Sequence, residues 1–110
     1  MPVAFEEKVR ALSSDLGSQA RLAEALDVNR SQLTRWLRGS GTDDATALRV
    51  DVLEMTLSAL LRVYSPRVAM SWLYGVNPFL GNRRPIDLVR RGEAVELLDA
   101  IRQEQAGSYA

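Results

Sequence analysis

The sequence predicts an all-α fold, and three observations predict it. Apolar residues recur at helical spacing, as in Phe5, Val9, Leu12 and Leu16, which stand at i, i+4, i+7 and i+11 and share one helix face. Residues that cap helix starts precede such runs at Ser18, Asn29 and Ser65, and glycines that end helices follow them at Gly17, Gly39, Gly75 and Gly92. With 110 residues and 46% hydrophobic content, the chain suits one compact domain, or two small helical lobes that share a core.

The first helix ends near Gly17, and Ser18 opens a second over Gln19 to Leu26 that buries Leu22, Ala23 and Leu26. The chain then turns through Asp27 and Val28 to Asn29, an N-cap with Gln32 three residues on. A third helix, Arg30 to Arg38, puts Leu33, Trp36 and Leu37 on one side. It leaves Arg30, Ser31, Gln32, Thr34, Arg35 and Arg38 to solvent. Gly39 to Thr42 is a short linker, and Asp43 and Asp44 suit the positive end of a fourth helix from Ala45 to Tyr64. That helix carries two apolar stripes: Leu48, Val52, Met55, Ala59 and Val63 on one, and Val50, Leu53, Leu57, Leu60, Leu61 and Tyr64 on the other. Such a surface is too wide for one contact. Part of it should pack on the N-terminal helices and the rest on a C-terminal helix or a second copy of the chain. Ser65-Pro66 opens a fifth helix that carries Val68, Ala69, Trp72 and Leu73 inward. The last helix, Glu93 to about Gln105, buries Val95, Leu98 and Ile101 or Leu97, and the final AGSYA reads as a mobile tail.

Between these last two helices the pattern breaks. Trp72 to Gly92, WLYGVNPFLGNRRPIDLVRRG, holds two prolines, three glycines and four arginines. Each breaker costs about 1–3 kcal/mol inside a helix, so packing economy does not explain the segment and a shape kept for a partner does. Asn77-Pro78 enters a turn, Phe79 and Leu80 plug it into the core, and Gly81 lets the chain reverse. Pro85 then starts a short helix packed by Ile86, Leu88 and Val89, with Arg90 and Arg91 near its negative end.

Composition removes several function classes. The chain has no cysteine and no histidine, which excludes disulfide staples, thiolate nucleophiles, histidine bases and nearly all zinc and haem sites. No pair of carboxylates is spaced for acid–base work, so no catalysis, cofactor or metal is expected. MPVAFEEKVR lacks the charged-then-apolar run of a signal peptide, and no apolar stretch approaches the roughly 20 residues that span a bilayer. A cytoplasmic protein without a membrane partner is expected. Fourteen basic and 14 acidic residues give zero net charge, yet Val28 to Gly41 holds Arg30, Arg35 and Arg38 and no acid, a local basic face.

Two stretches resemble a known family. QARLAEALDVNRSQLTRWLRG is similar to the helix-turn-helix of Xre and Cro-like repressors: small Ala23 lets two helices approach, Val28 plugs the turn, and Leu33 and Trp36 anchor the second helix. Asp27 stands where that family usually has a left-handed glycine, a conformation Asp tolerates better than most residues. Trp72-Leu73, Asn77-Pro78, Leu80-Gly81, Pro85 and Gly92, followed by a short amphipathic helix, resemble the C-terminal toxin-binding domain of the Xre, MbcA and ParS antitoxins. Together the two matches take in nearly the whole chain. The organisation they imply is a helix-turn-helix unit over 1–41, a connecting long helix over 42–64, and a toxin-binding domain with a flexible tail over 65–110.

The resemblance implies an antitoxin that neutralises a RES-domain toxin, an NAD-degrading enzyme, by blocking its active site, and that regulates its own operon by binding operator DNA. It also implies a homodimer within a larger toxin–antitoxin complex. On this reading Arg30 to Arg38 is the recognition helix, with Ser31, Gln32 and Arg35 aimed at base edges and Gln19, Thr34 and Arg38 nearer phosphate. Arg30 completes the set. Arg83, Arg84, Arg90 and Arg91, with the terminal Ser108, Tyr109 and Ala110, are the toxin-binding candidates. Two readings stay open beside it: for the α-helical face and the arginines, ordinary solvated surface and helix-end charge; for the whole chain, a stand-alone helix-turn-helix repressor.

Overall fold

The computed structural model describes residues 4–108. Over that span the chain is all-helical, as predicted: α1 (Phe5–Leu16), α2 (Gln19–Leu26), α3 (Arg30–Leu37), α4 (Asp44–Leu60), α5 (Pro66–Tyr74), α6 (Pro85–Arg91) and α7 (Ala94–Ser108), with a 3-10 turn at Pro78–Leu80 between α5 and α6. No helix of the described residues is long and apolar enough to cross a membrane.

The first three helices follow local chemistry closely. Gly17 closes α1 at φ 101°, a left-handed conformation that a Cβ disfavours, and its N–H donates to the carbonyls of Ser13 and Ser14. Ser18 caps α2 by accepting from Arg21 N at 3.1 Å, and Asn29 caps α3 by accepting from Gln32 N at 2.9 Å. Val9, Leu12 and Leu16 of α1, Leu22, Ala25 and Leu26 of α2, and Leu33 and Trp36 of α3 close on one another. Full burial of one such aliphatic side chain stabilises by roughly 1.5–3 kcal/mol. Phe5 meets Trp36 edge to face, with ring centroids 5.3 Å apart and planes at 81°, the arrangement that aromatic quadrupoles favour.

Helix α4 lies between the N-terminal helices and the C-terminal ones, touching α1, α6 and α7. Its buried side holds Val50, Leu53, Leu57 and Leu60 of the second predicted stripe together with Val52 of the first and the hydroxyl-bearing Thr56. The helix ends at Leu60 and not at Tyr64. Pro66 disfavours helical backbone at Ser65, so the chain unwinds first through a turn in which Val63 N and Tyr64 N both donate to the Leu60 carbonyl, at 3.1 and 2.9 Å.

Three inward assignments differ from expectation. Phe79 is 52% exposed, because the 3-10 turn can send only one of its two apolar residues inward and Leu80 takes that place. Val68 is 45% exposed, since α5 turns Ala69 and Leu73, one helical step apart, into the core. Val95 is 77% exposed, while Leu97, Ala100 and Ile101 form the buried face of α7. A residue two positions from Leu97 points about 200° away from it, so choosing the Leu97–Ile101 face expels Val95. Leu98 is half-buried beside that face, and α7 continues to Ser108, past the expected end.

The two halves meet at the C-terminus of α2. Arg90 of α6 donates from Nε to the Ala25 carbonyl at 3.2 Å and from Nη2 to the Glu24 carbonyl at 2.7 Å. Arg49 of α4 donates from Nη1 to the Leu26 carbonyl at 3.2 Å and from Nη2 to Thr46 Oγ1 at 3.0 Å. Three carbonyls at the negative end of one helix thus receive two guanidinium groups from elsewhere in the chain. Hydrogen bonds to a charged donor contribute about 1.5–3 kcal/mol, so Arg90→Met should lower the unfolding free energy by roughly that amount. Denaturant titration of the variant checks it; a midpoint equal to that of the parent chain would remove Arg90 from the list of stabilising contacts.

Candidate functional site

The outward face of α3 is built on the turn before it. Asp27 ends α2 in the left-handed region, at φ 56° and ψ 48°, and the chain closes with Asp27 N donating to Glu24 O at 3.1 Å and Val28 N to Ala23 O at 2.9 Å. Asp therefore occupies the conformation for which glycine is the usual choice. Asn29 Oδ1 then accepts from both Gln32 N and the Ser31 hydroxyl, the latter at 2.7 Å.

Along α3 the side chains are partly ordered by one another. Arg35 donates from Nη2 to Gln32 Oε1 at 2.8 Å, which holds the guanidinium over the preceding turn, and the Thr34 hydroxyl donates to the Arg30 carbonyl at 2.9 Å. Gln19, Arg30, Ser31, Thr34, Arg35 and Arg38 are exposed, and Gln32 is half-buried. Arg38 follows the last helical residue as its cap, with its backbone N–H turned to the carbonyls of Thr34 and Arg35. Among the described residues no carboxylate pairs with Arg30, Arg35 or Arg38. The three cations share an outward surface whose charge is uncompensated by contact.

The second group of arginines is differently placed. Arg83 donates from Nε to the Leu80 carbonyl at 2.7 Å and pairs with Glu96, with Glu93 at 3.9 Å. Arg84 forks onto Asp87 with contacts of 3.2 and 3.0 Å, while Arg90, turned toward α2, reaches the same carboxylate at 3.7 Å. Arg91 is the least engaged; its side chain is 67% exposed and only Glu93 approaches, at 4.0 Å. Asp87 therefore links Arg84 to Arg90, and Glu93 links Arg83 to Arg91. Ser108 is the last described residue of α7, and Tyr109 and Ala110 lie outside the described residues.

The frame that carries these arginines turns on Asn77, which is buried. Its Oδ1 accepts from Phe79 N at 2.9 Å, its carbonyl accepts from Leu80 N and Asn82 N at 3.0 and 2.9 Å, and its N–H donates to the Arg83 carbonyl at 3.0 Å. Gly81 and Asn82, at φ 65° and 63°, complete the reversal. The side chain and backbone of one residue thus hold the whole loop, a role that the Asn77-Pro78 turn signal announces only in part. Arg49 carries no signal in the sequence, because its target is 23 residues away and lies on the backbone of another helix.

Charge follows contact in this region. The hydrogen bonds from Arg84 hold the Asp87 carboxyl below its ordinary value, and the same pair raises Arg84. Asp43, capping α4 by accepting from Thr46 N at 2.7 Å, is likewise lowered by that backbone bond. Burial raises Tyr74, on the side of α5 that faces α2. The space there, about 260 Å³ between Leu16, Arg21, Glu24, Met70 and Tyr74, falls below the roughly 300–1,000 Å³ of usual ligand pockets. Among the described residues no acidic cluster is arranged to hold a metal ion.

Comparison of the chain with protein-family models, with characterised proteins and with solved structures gave no match.

A carboxyl whose folded pKa is depressed stabilises above its unfolded value and loses that contribution as pH falls through the folded value. For Asp87 and Asp43 the ordinary value is 3.8, so their share is present at neutral pH and disappears below about pH 4. Stability of the parent chain should therefore fall more steeply between pH 4 and pH 2 than that of Asp87→Asn. Parallel pH–stability curves would show that the Arg84–Asp87 fork adds nothing to folding.

Proposed function

We propose that this chain is an antitoxin of the Xre, MbcA and ParS type. It acts as a homodimer, binds and neutralises a RES-domain toxin that degrades NAD, and binds operator DNA through α3 as a helix-turn-helix. The observation that carries the reading is the presence in one chain of two surfaces with different chemistry. One is the acid-free cationic face of α3, set on a three-residue turn from α2. The other is the loop folded around Asn77, which presents arginines beside a second set of helices.

The DNA role follows from charge and shape. A major groove admits one helix, and Ser31, Gln32 and Arg35 stand where the exposed first turns of α3 meet base edges. Arg30, Arg38, Thr34 and Gln19 flank them toward phosphate. Because affinity scales with the phosphates neutralised, one neutral chain with three such arginines binds weakly, and two copies on a palindrome bind usefully. For the toxin, Arg91 and the outward edges of Arg83 and Arg84 offer charge to acidic groups around an NAD cleft, with Ser108, Tyr109 and Ala110 as further contacts to it. Arg90 contributes through the position it gives α6.

Co-expression with the adjacent RES-domain reading frame tests the antitoxin role: growth and cellular NAD should be restored, and removal of Ser108–Ala110 should weaken the rescue. Toxicity that persists beside the intact chain sinks the reading, and operator binding without rescue leaves the stand-alone repressor. For DNA, Arg35→Ala should cost about 1–3 kcal/mol of operator binding, a loss of roughly 5- to 150-fold, with unfolding unchanged. An Arg30, Gln32 and Arg35 triple alanine variant that binds as tightly as the parent overturns the assignment of α3.

A further inference from the structure

We propose that the groove between α4 and α7 is the surface through which two copies of this chain pair about a two-fold axis. The proposal rests on the homodimer of the reading above and gives it a location. The groove holds about 390 Å³, with Met55 and Ala59 on one wall, Leu98 and Ile101 on the other, and Arg62 and Arg102 at one end. At its other end the apolar strip runs on to Leu48, 49% exposed, and Val95, 77% exposed. Most of one apolar stripe of α4 is spent on the core; of the other, Val52 is buried, whereas Met55 and Ala59 are only half-buried and Leu48 is exposed.

Charge identifies the occupant as a second copy. Asp51, Met55 and Ser58 follow at steps of four and three residues along one face of α4, and Arg62, in the turn just past the helix, lines the groove beside Met55 and Ser58, so the charges stand at the two ends of one strip. An antiparallel copy laid on that face brings each Met55 over the other chain's Ser58 and each Asp51 over the other chain's Arg62. The two-fold axis makes the two contacts equivalent, so they form together. Both ends have capacity for them. Arg62 is exposed and forms no ion pair among the described residues. Asp51 gives Oδ1 to Lys8 at 2.8 Å, and its side chain remains 54% exposed. A surface with a carboxylate at one end, guanidinium groups at the other and Met55, Ser58, Ala59 and Leu98 between complements its own copy turned by half a revolution, which is the condition for an isologous interface.

Sedimentation equilibrium of the full chain, without DNA or toxin, tests the pairing. The parent chain should be dimeric at micromolar concentration. Asp51→Arg and Arg62→Asp should each weaken self-association at least tenfold, because each sets like charges face to face twice. Mixed in equal amounts, the two variants should re-form a dimer, since every contact in the mixed pair is again opposite in sign. Leu98→Glu should be monomeric with helical content and thermal midpoint retained; should it unfold instead, the charge variants still decide the matter, because Arg62→Asp breaks no ion pair among the described residues and Asp51→Arg is read against Asp51→Asn, which likewise gives up the Lys8 pair. A monomeric parent chain, undiminished association of the charge variants, or a mixture that fails to associate overturns the proposal. So does a parent monomer whose toxin complex is lost on Leu98→Glu, which assigns the groove to the toxin. Rescue of growth by a monomeric chain would leave the antitoxin reading standing while removing this one.

Discussion

The carbonyl end of α2 is where the structure is joined. Any helix leaves its last carbonyls without helical partners and with a negative end that attracts cations. Here Arg90 takes the carbonyls of Glu24 and Ala25, and Arg49 takes that of Leu26. The donors come from α6 and α4, so one helix end is tied to both helices at the level of its backbone. The backbone of α2 also leads directly into the turn at Asp27 and from there into α3. The orientation of the α3 face is consequently set by contacts from a part of the chain more than 60 residues later.

The same economy governs the loop at Asn77. Two prolines remove hydrogen-bond donors and restrict the residues before them, and left-handed backbone is needed at Gly81 and Asn82. What holds such a segment in one shape is a buried amide whose oxygen, carbonyl and N–H are all occupied. Buried polar groups that are paired in this way favour a single arrangement, because alternatives leave one of them unpaired. The arginines carried by this loop are then arranged by acids on neighbouring turns, Asp87 and Glu93, which keep two pairs of guanidinium groups together that would otherwise repel.

Much of the candidate DNA face is legible in the sequence. Ser18 and Asn29 act as caps, Gly17 ends α1, Asp27 takes the left-handed turn position, and Leu33 and Trp36 are buried while Arg30, Ser31, Thr34, Arg35 and Arg38 remain outside. Each of these depends on residues within four positions of one another. The C-terminal half is less legible for a related reason. Hydrophobicity assigns Phe79, Val68 and Val95 to the core, yet each stands close to a competitor, Leu80, Ala69 or Leu97, and a helix can turn only one of the two inward. Which of them wins depends on the helix packed opposite.

By itself, then, the sequence determined the class of fold, the order of the helices, most of their capped ends and the chemical character of the α3 surface, all of which follow from periodicity and from hydrogen bonds between near neighbours. Only the tertiary structure decided the face of α7 that is buried, the use of Asn77 as the centre of its loop, and the direction of Arg49 and Arg90 toward the carbonyls of α2. An arginine on a helix serves solvent, a partner or another helix equally well as far as local rules go. The choice is made by which unsatisfied backbone groups the folded chain brings within its reach.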